Sequence, residues 1–424
     1  MENKIKSLFE NRKVLILGMG REGQSTANFL KKFCPDFQFV TADQKDGENY
    51  LENIKDFDLI IKSPGISWNI KEIKWAREAG MKFISQTQIF LDLFADKTIG
   101  VTGTKGKSTT ASLIYNILKT ANKKVQLVGN IGKPVLDYVD EKIDWFVFEM
   151  SSHQLSDVTR SPHVAIFLNI YPEHLDYYGS FEEYFKAKAN IALYQSTSDI
   201  FIYNNDFDEI SDLAASIKST KYPFSSQDKL SDLGINLENN PLMGEHNLNN
   251  IIAAILTAQS LNINNEHIQK GIESFEPLED RLEKVREVAG VTFINDGLAT
   301  IPQATISAIK SFEDKNITLI LGGFDRGVDF SILGKFLSGN RDVKSIVLIG
   351  QTANKIANTL KENNFMNDVI NLGMVSMKEI VKAAYELASS PGVVLFSPSA
   401  TSFDMFKDYK DRDEQFKKAV NSLE

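Results

Sequence analysis

The stretch Gly100-Val101-Thr102-Gly103-Thr104-Lys105-Gly106-Lys107-Ser108-Thr109-Thr110 constrains this chain more than any other, because an apolar strand ending in Ile99 runs into a Gly-rich loop and then a helix. A strand, a glycine-rich turn and a helix in that order aim successive backbone N–H groups at one point, with the positive end of the helix behind them. Such a loop binds phosphate. Lys107 adds a point charge and Ser108 offers a hydroxyl to Mg²⁺, so the expected ligand is a nucleoside triphosphate with magnesium. The glycine pattern is a variant of the common phosphate loop, since Val101 stands five residues before Gly106 and the glycine is Gly103 instead. An ordinary strand-to-helix turn that happens to hold Gly and Lys is the alternative.

A chain of 424 residues with a 42% apolar share has material for roughly three domains of about 150 residues each. Lys and Arg total 47 against 56 Asp and Glu, a balance that argues against a broad nucleic-acid surface and leaves anionic ligands to local basic pockets. The single cysteine, Cys34, excludes an intrachain disulfide and suits a reducing compartment. The polar start Met1-Glu2-Asn3-Lys4 lacks a signal-peptide core, and no apolar run approaches the ~18 residues of a membrane span. The expectation is a cytoplasmic protein of small-molecule partners, without membrane or nucleic acid.

Residues 13–23 read as a buried strand entering a tight turn at Gly18, Gly20, Arg21 and Gly23, and Asp43 follows a second strand at 37–41. This is a Rossmann-type fingerprint, in which a pyrophosphate approaches the glycines at a helix start and the acid meets a ribose hydroxyl. Two alternatives stand beside it: a nicotinamide-dependent dehydrogenase, and a close-packed turn with no ligand. A strand at 58–61 then ends in Ser63-Pro64-Gly65-Ile66, a turn set by Pro and Gly, and a helix is expected over 71–79.

After the phosphate-loop helix, a strand at 125–128 ends at Asn130 and one at 145–148 leads into Glu149-Met150-Ser151-Ser152-His153-Gln154. A third strand, at 164–170, ends near Glu173-His174-Leu175-Asp176. Ligands of an open parallel sheet gather outside the carboxyl ends of its strands, so Glu149 is expected beside the phosphate loop, where it can coordinate Mg²⁺. A helix-capping role for the Glu149-to-Ser152 segment is the plain alternative.

These motifs resemble those of the Mur ligases, of the MurD type, and the resemblance runs along essentially the whole chain. The loop T-G-T-x-G-K-S-T is similar to the family's ATP loop, Ser63-Pro64-Gly65-Ile66 to its S-P-G-[IV] turn, and Asn169, Glu173, His174 and Asp176 to N-x-x-x-[DE]-H-x-D. Gly244, His246, Asn247 and Asn250 resemble G-x-H-N-x-x-N ahead of an apolar helix at 251–261, where Asn247 also suits a cap. Residues 277–283 resemble the linker P-H-R-[FL]-E, 295–301 the segment N-D-S-K-A-T-N, 322–326 G-G-x-D-[RK], and 397–404 S-P-x-x-[AS]-S-[FW]-D.

The resemblance implies an α/β fold of three domains: an N-terminal Rossmann-like domain (1–96) for a uridine-diphosphate substrate, a central P-loop ATPase-like parallel sheet (97–277), and a C-terminal Rossmann-like domain (278–424) for glutamate. It implies an ATP-dependent ligase, monomeric, that joins UDP-N-acetylmuramoyl-L-alanine to D-glutamate through an acyl phosphate, with L-glutamate as the alternative amino acid. Lys107, Glu149, His174 and Lys188 become catalytic. Ser108, Glu149, His174 and a carbamylated Lys188 would hold two Mg²⁺ ions, with Lys186 the nearby competitor for the carbamate. ATP would meet Gly103, Thr104, Lys105, Gly106, Lys107, Ser108, Thr109, Asn247, Asn250, Arg281 and Asp296. Substrates would meet Gly18, Gly20, Arg21, Gly23, Asp43, Ser63, Gly65, Asn130 and Thr300, and glutamate Arg326, Ser402 and Phe403. Among the departures from the family pattern, Glu22 stands for Ser or Thr, Asp280 for His, Leu298 for Lys, and Asp413 for the Gly after the matching Arg412. A non-catalytic nucleotide-binding protein is the remaining alternative, one that would tolerate loss of Glu149 or His174.

Overall fold

The computed structural model describes residues 2–139, 142–236, 242, 245–276, 281–312 and 314–423, with all their side chains except those of 2–4, 176, 245 and 246. Gly244, Pro277, Leu278, Glu279 and Asp280 lie outside the described residues, as do the side chains of His246 and Asp176. Among the described residues, sixteen strands form three sheets. They are β1 (Val14–Leu17), β2 (Phe39–Ala42), β3 (Leu59–Lys62), β4 (Lys82–Ile84), β5 (Thr98–Thr102), β6 (Val125–Gly129), β7 (Trp145–Glu149), β8 (Val164–Phe167), β9 (Ile200–Asn204), β10 (Thr220–Phe224), β11 (Glu283–Val288), β12 (Val291–Asn295), β13 (Ile317–Gly322), β14 (Val343–Ile349), β15 (Asp368–Gly373) and β16 (Gly392–Phe396).

The first two sheets belong to one compact unit, residues 1–239 with 249–275. The four-stranded sheet has order β2-β1-β3-β4 and the six-stranded sheet β10-β9-β8-β5-β7-β6, and every pairing in both is parallel. Such strands are buried on both faces and read as unbroken apolar runs. In β1, Val14 and Ile16 enter one core while Leu15 and Leu17 enter another. The phosphate-loop strand β5 sits between β8 and β7, so the three strand ends expected on one rim are adjacent there.

The second compact unit, residues 240–248 with 276–424, holds the sheet β11-β12-β16-β13-β14-β15. Its strands also alternate between two cores: Leu319, Leu321, Ile346, Leu348 and Leu395 face one, and Ile320, Val347, Ile349, Val394 and Phe396 the other. Helices therefore cover both faces, as in doubly wound folds. The edge strand β11 is antiparallel to β12, which the sequence reading did not foresee.

Expected elements recur with small shifts. The helix expected over 71–79 spans Lys71–Glu78, and the strand expected over 164–170 ends at Phe167. The larger difference is the helix expected from residue 251, which starts at Glu245 (Glu245–Ser260), so Asn247 lies inside its first turn and is not its cap. Among the described residues no helix is long and apolar enough to cross a membrane.

Candidate active site

The loop after β5 is bound into its sheet. Thr104 N–H donates to the Asn169 carbonyl (3.0 Å), while the Asn169 side chain accepts from Lys105 N–H (2.8 Å) and donates to the Lys105 carbonyl (3.0 Å). The Thr104 hydroxyl accepts from Tyr171 N–H at 2.9 Å. These bonds tie the loop to the chain leaving β8 and account for Asn169 at the head of its motif. Gly106 has φ +84°, and a Cβ there would lie 2.2 Å from Asn250 Oδ1, so both conformation and space require glycine. Asn250 is buried and also lies 3.2 Å from the Thr110 hydroxyl, which places it against the loop. Asn247 is buried in the same helix.

Lys107 Nζ donates to the Gly103 and Thr104 carbonyls, both at 2.9 Å, so its ammonium lies over the loop. Ser108 and Thr109 begin the helix Lys107–Thr120, with Thr109 buried. Lys105 pairs with Glu173 at 3.1 Å. Burial pushes the Glu173 carboxyl up, but Lys105, Lys107 and His174 outweigh it and hold the group below the usual range.

Glu149 ends β7 and is 3% exposed, and its Oε2 has no hydrogen-bond partner among the described residues. A buried carboxylate oxygen left so is costly unless a cation meets it. Asn130, exposed, donates its N–H to the Glu149 carbonyl at 3.2 Å. His174 has φ +56°, a left-handed conformation that turns the chain into the short helix Leu175–Tyr178, and its ring lies edge-on to His153 at 5.0 Å.

Lys188 is sealed beneath the loop at 2% exposure. Its Nζ donates to the Gly103 carbonyl (2.8 Å) and to the Thr102 hydroxyl (3.4 Å), over the Tyr184 ring at 5.0 Å. Burial first, then the nearby Lys107, hold its amine well below the ordinary lysine range. The competitor Lys186 is exposed and paired with Glu182 and Glu183, as a solvated helix face requires.

On the four-stranded sheet, Gly18 (φ +89°) and Gly23 allow a tight crossing, since a Cβ on Gly23 would meet the Gly18 carbonyl at 2.0 Å. Gly20 precedes the helix Arg21–Phe33. Ser63 Oγ donates to the Gly18 carbonyl at 2.7 Å, which joins the S-P-G turn to the glycine turn, and Gly65 is exposed beside it. Asp43 accepts from the N–H groups of Met19 (2.6 Å) and Lys45 (3.1 Å), bonds that hold it below the usual carboxylate range. It thus shapes the turn from within. Arg21 donates to the Gly132 carbonyl at 2.7 Å.

The Glu22 departure has a structural answer. Its side chain turns from the glycine turn toward the six-stranded sheet, where Gln154 Nε2 donates to Oε1 at 2.7 Å. Burial raises its pKa against the opposing pull of Gln154, Lys62 and Arg21, which weakens any repulsion of a diphosphate.

In the second unit, Asp296 accepts from the Ser397 hydroxyl at 2.8 Å, and Thr300 lies just before the helix Pro302–Lys310. Arg281 opens the described chain two residues before β11. Arg326 is exposed and stacks over the half-exposed Phe403 ring at 5.3 Å, while Ser402 is buried. In the same loop Ser399 Oγ, Thr401 Oγ1 and Asp404 Oδ1 are buried with no hydrogen-bond partner among the described residues. The sequence motif closes on Asp404, whereas the sequence reading singles out neither Ser399 nor Thr401. Ser399 has φ +58°, a conformation that spacing alone does not reveal.

Asp413 also has an account. Arg412 is fully buried, its Nε 3.2 Å from Asp413 Oδ1, its Nη1 donating to the Ala400 carbonyl at 3.2 Å and its Nη2 to the Gly297 carbonyl. A Cβ on Gly297 would lie 2.0 Å from Asp413 Oδ1. The chain therefore has Gly and Asp where the family pattern has Ser and Gly, a reciprocal exchange of volume. Nothing in the structure explains Leu298.

A glycine-rich loop between a parallel strand and a helix, with a buried acid on the neighbouring strand end, defines a P-loop nucleotide-binding protein. Residues 101–258 match the Mur ligase middle domain and residues 280–400 the Mur ligase glutamate ligase domain. A UDP-N-acetylmuramoylalanine–D-glutamate ligase of Acetivibrio thermocellus is 36% identical over 466 aligned positions that cover 100% of this chain and 99% of that protein. One of Oenococcus oeni is 34% identical, covering 98% of each. Among solved structures, the UDP-N-acetylmuramate–alanine ligase MurC of Thermotoga maritima superposes with a TM-score of 0.61 at 19% identity, over 97% of this chain and 100% of that one, a likeness of fold. The chain belongs to the Mur ligase family, whose members are ATP-dependent ligases.

Proposed function

We propose that this protein uses ATP to join D-glutamate to the carboxylate of UDP-N-acetylmuramoyl-L-alanine, a step of cell-wall peptide synthesis in the cytoplasm. The observation that carries this reading is the rim of the six-stranded sheet, where the phosphate loop, a buried acid with an unpartnered oxygen and a sealed lysine meet. A carboxylate is a poor electrophile. Phosphorylation gives an acyl phosphate with a good leaving group, and the glutamate amine then attacks the acyl carbon.

The residues divide that task. Loop N–H groups and Lys107 face the transferring γ-phosphoryl, where positioning and charge neutralisation supply most of the catalysis. The Gly18-to-Gly23 turn, with Ser63 and Asp43, is the seat for the uridine diphosphate. Arg326 and Ser402 take the glutamate carboxylates, with the unpartnered atoms Ser399 Oγ, Thr401 Oγ1 and Asp404 Oδ1 as further polar positions for the same molecule. Magnesium fits the donor set, since Glu149 brings a buried oxygen without a partner and Ser108 a hydroxyl. Among the described residues no group of three or more His, Cys, Asp or Glu gathers, which suits a Mg²⁺ held largely by phosphates and water. A second ion would fall to His174 and a carbamylated Lys188. Bound there, magnesium would screen the phosphate charges and polarise the transferring group.

The dehydrogenase alternative leaves the phosphate loop, Lys188 and the second unit without a task. Phosphate release that requires ATP, the nucleotide sugar and glutamate together tests the reading. No release with all three present overturns it. The enantiomer is tested by kcat/KM for D- and L-glutamate side by side, with D expected. A preference for L above tenfold, about 1.4 kcal/mol of transition-state discrimination, overturns that part alone.

A further inference from the structure

The helix Phe181–Leu193 has two working faces. Tyr184 and Lys188, four residues apart, point under the phosphate loop. Glu183, Lys186, Ala187 and Asn190 occupy another face and line a separate cavity of about 580 Å³. Its remaining walls include Trp68, Phe83 and Tyr177, with Asn69, Arg77 and Asp157 among the polar groups. None of these is assigned to the ligase reaction.

The polar groups are committed in a way that selects a ligand. Asn190 Nδ2 donates to the Leu155 carbonyl and Asn69 Nδ2 to the Tyr177 carbonyl, each at 2.9 Å, so both amides keep their oxygens as acceptors. Asp157 adds a carboxylate whose Oδ1 has no hydrogen-bond partner among the described residues. Three acceptor groups favour an ammonium group. Arg77, which lines the same cavity, lies on the Trp68 ring at 4.6 Å, its planar fork suited to a carboxylate. Burial pushes the Asp157 carboxyl up to about 6, against the pull of Lys62, Ser85 and Arg77, so it is anionic at neutral pH.

We propose that this cavity is a second binding site, for the zwitterion of a small α-amino acid, with its ammonium at Asp157, Asn69 and Asn190 and its carboxylate at Arg77. The aromatic walls favour an apolar side chain. Tyr177 stacks edge-on to His153 at 4.4 Å, and His153 to His174 at 5.0 Å, so the cavity is two rings away from the candidate active site.

The test uses the full chain, calorimetric titration and L-phenylalanine as probe. Saturable binding is expected, weakened at least tenfold by N-acetylation, which removes the ammonium, and at least tenfold by Asp157→Asn. Arg77→Gln, on an exposed helix face where unfolding is not a concern, should weaken the free acid and leave phenylalanine amide unchanged. The His153 ring signals, identified by their loss in His153→Phe, should shift on titration while those of His267 stay fixed. Failure to saturate by about 20 mM overturns the proposal. So does equal binding of the N-acetyl compound, binding unaffected by Arg77→Gln, or saturation without movement of the His153 signals.

Discussion

At the scale of single residues, the site turns on two lysines held in opposite ways. Lys107 lies over the loop on two carbonyls, its charge available to a phosphate, whereas Lys188 is enclosed and its amine held well below the ordinary range by burial and by Lys107. Lys107→Ala is expected to lower kcat for phosphate release by about a hundredfold or more, since the loop's other cation, Lys105, is paired with Glu173. A depressed amine pKa means a larger neutral fraction, and the neutral amine is the form that adds CO₂. Lys188 is therefore expected to carry a carbamate, read as a bicarbonate-dependent carbamate signal in ¹³C spectra. Lys188→Ala should be inactive and partly recovered by a short carboxylic acid. An unmodified, fully active lysine under bicarbonate removes the carbamate from the mechanism.

At the scale of elements, β3 ends in a lysine where an apolar residue would be cheaper. Lys62 is 1% exposed, donates to the carbonyls of Ile66 (2.9 Å) and Ser63 (3.2 Å), and lies over Trp68 at 4.3 Å. It holds the Ser63-to-Ile66 turn closed from beneath and balances Asp157 and Glu22. Burial lowers its pKa from 10.5 to about 8, with Asp157 and Glu22 opposing. Between those values the unfolded chain binds more protons at this group than the folded one, so its contribution makes stability rise with pH from about 8 toward 10.5. Lys62→Met is expected to destabilise by about 2–4 kcal/mol, leaving two carbonyls and a buried carboxylate poorly met. It should also abolish that rise, read as denaturant midpoints across the same pH range. A midpoint that climbs equally in the variant assigns the rise to another group.

At the scale of the whole molecule, the phosphate loop and the glutamate anchors belong to different compact units, so the half-reactions should separate by mutation. Arg326→Ala is expected to keep nucleotide-sugar-dependent exchange of label between ADP and ATP, while amide formation falls about a hundredfold or more through loss of a charged contact. Loss of both together would assign Arg326 to the first step. The sequence by itself determined the strand, loop and helix around Gly103 to Thr109, the order of the motifs, the rim where β5, β7 and β8 end, and the family. Those features use contiguous residues whose backbone conformation and apolar runs are local properties. Tertiary structure alone decided where Glu22 turns, because Gln154 is 132 residues away. It decided that Asp413 is admitted by Gly297, that β11 runs antiparallel, and that Ser399 takes a left-handed conformation with its hydroxyl unpartnered. Each of these depends on which distant groups share a buried volume, and no spacing along the chain records that.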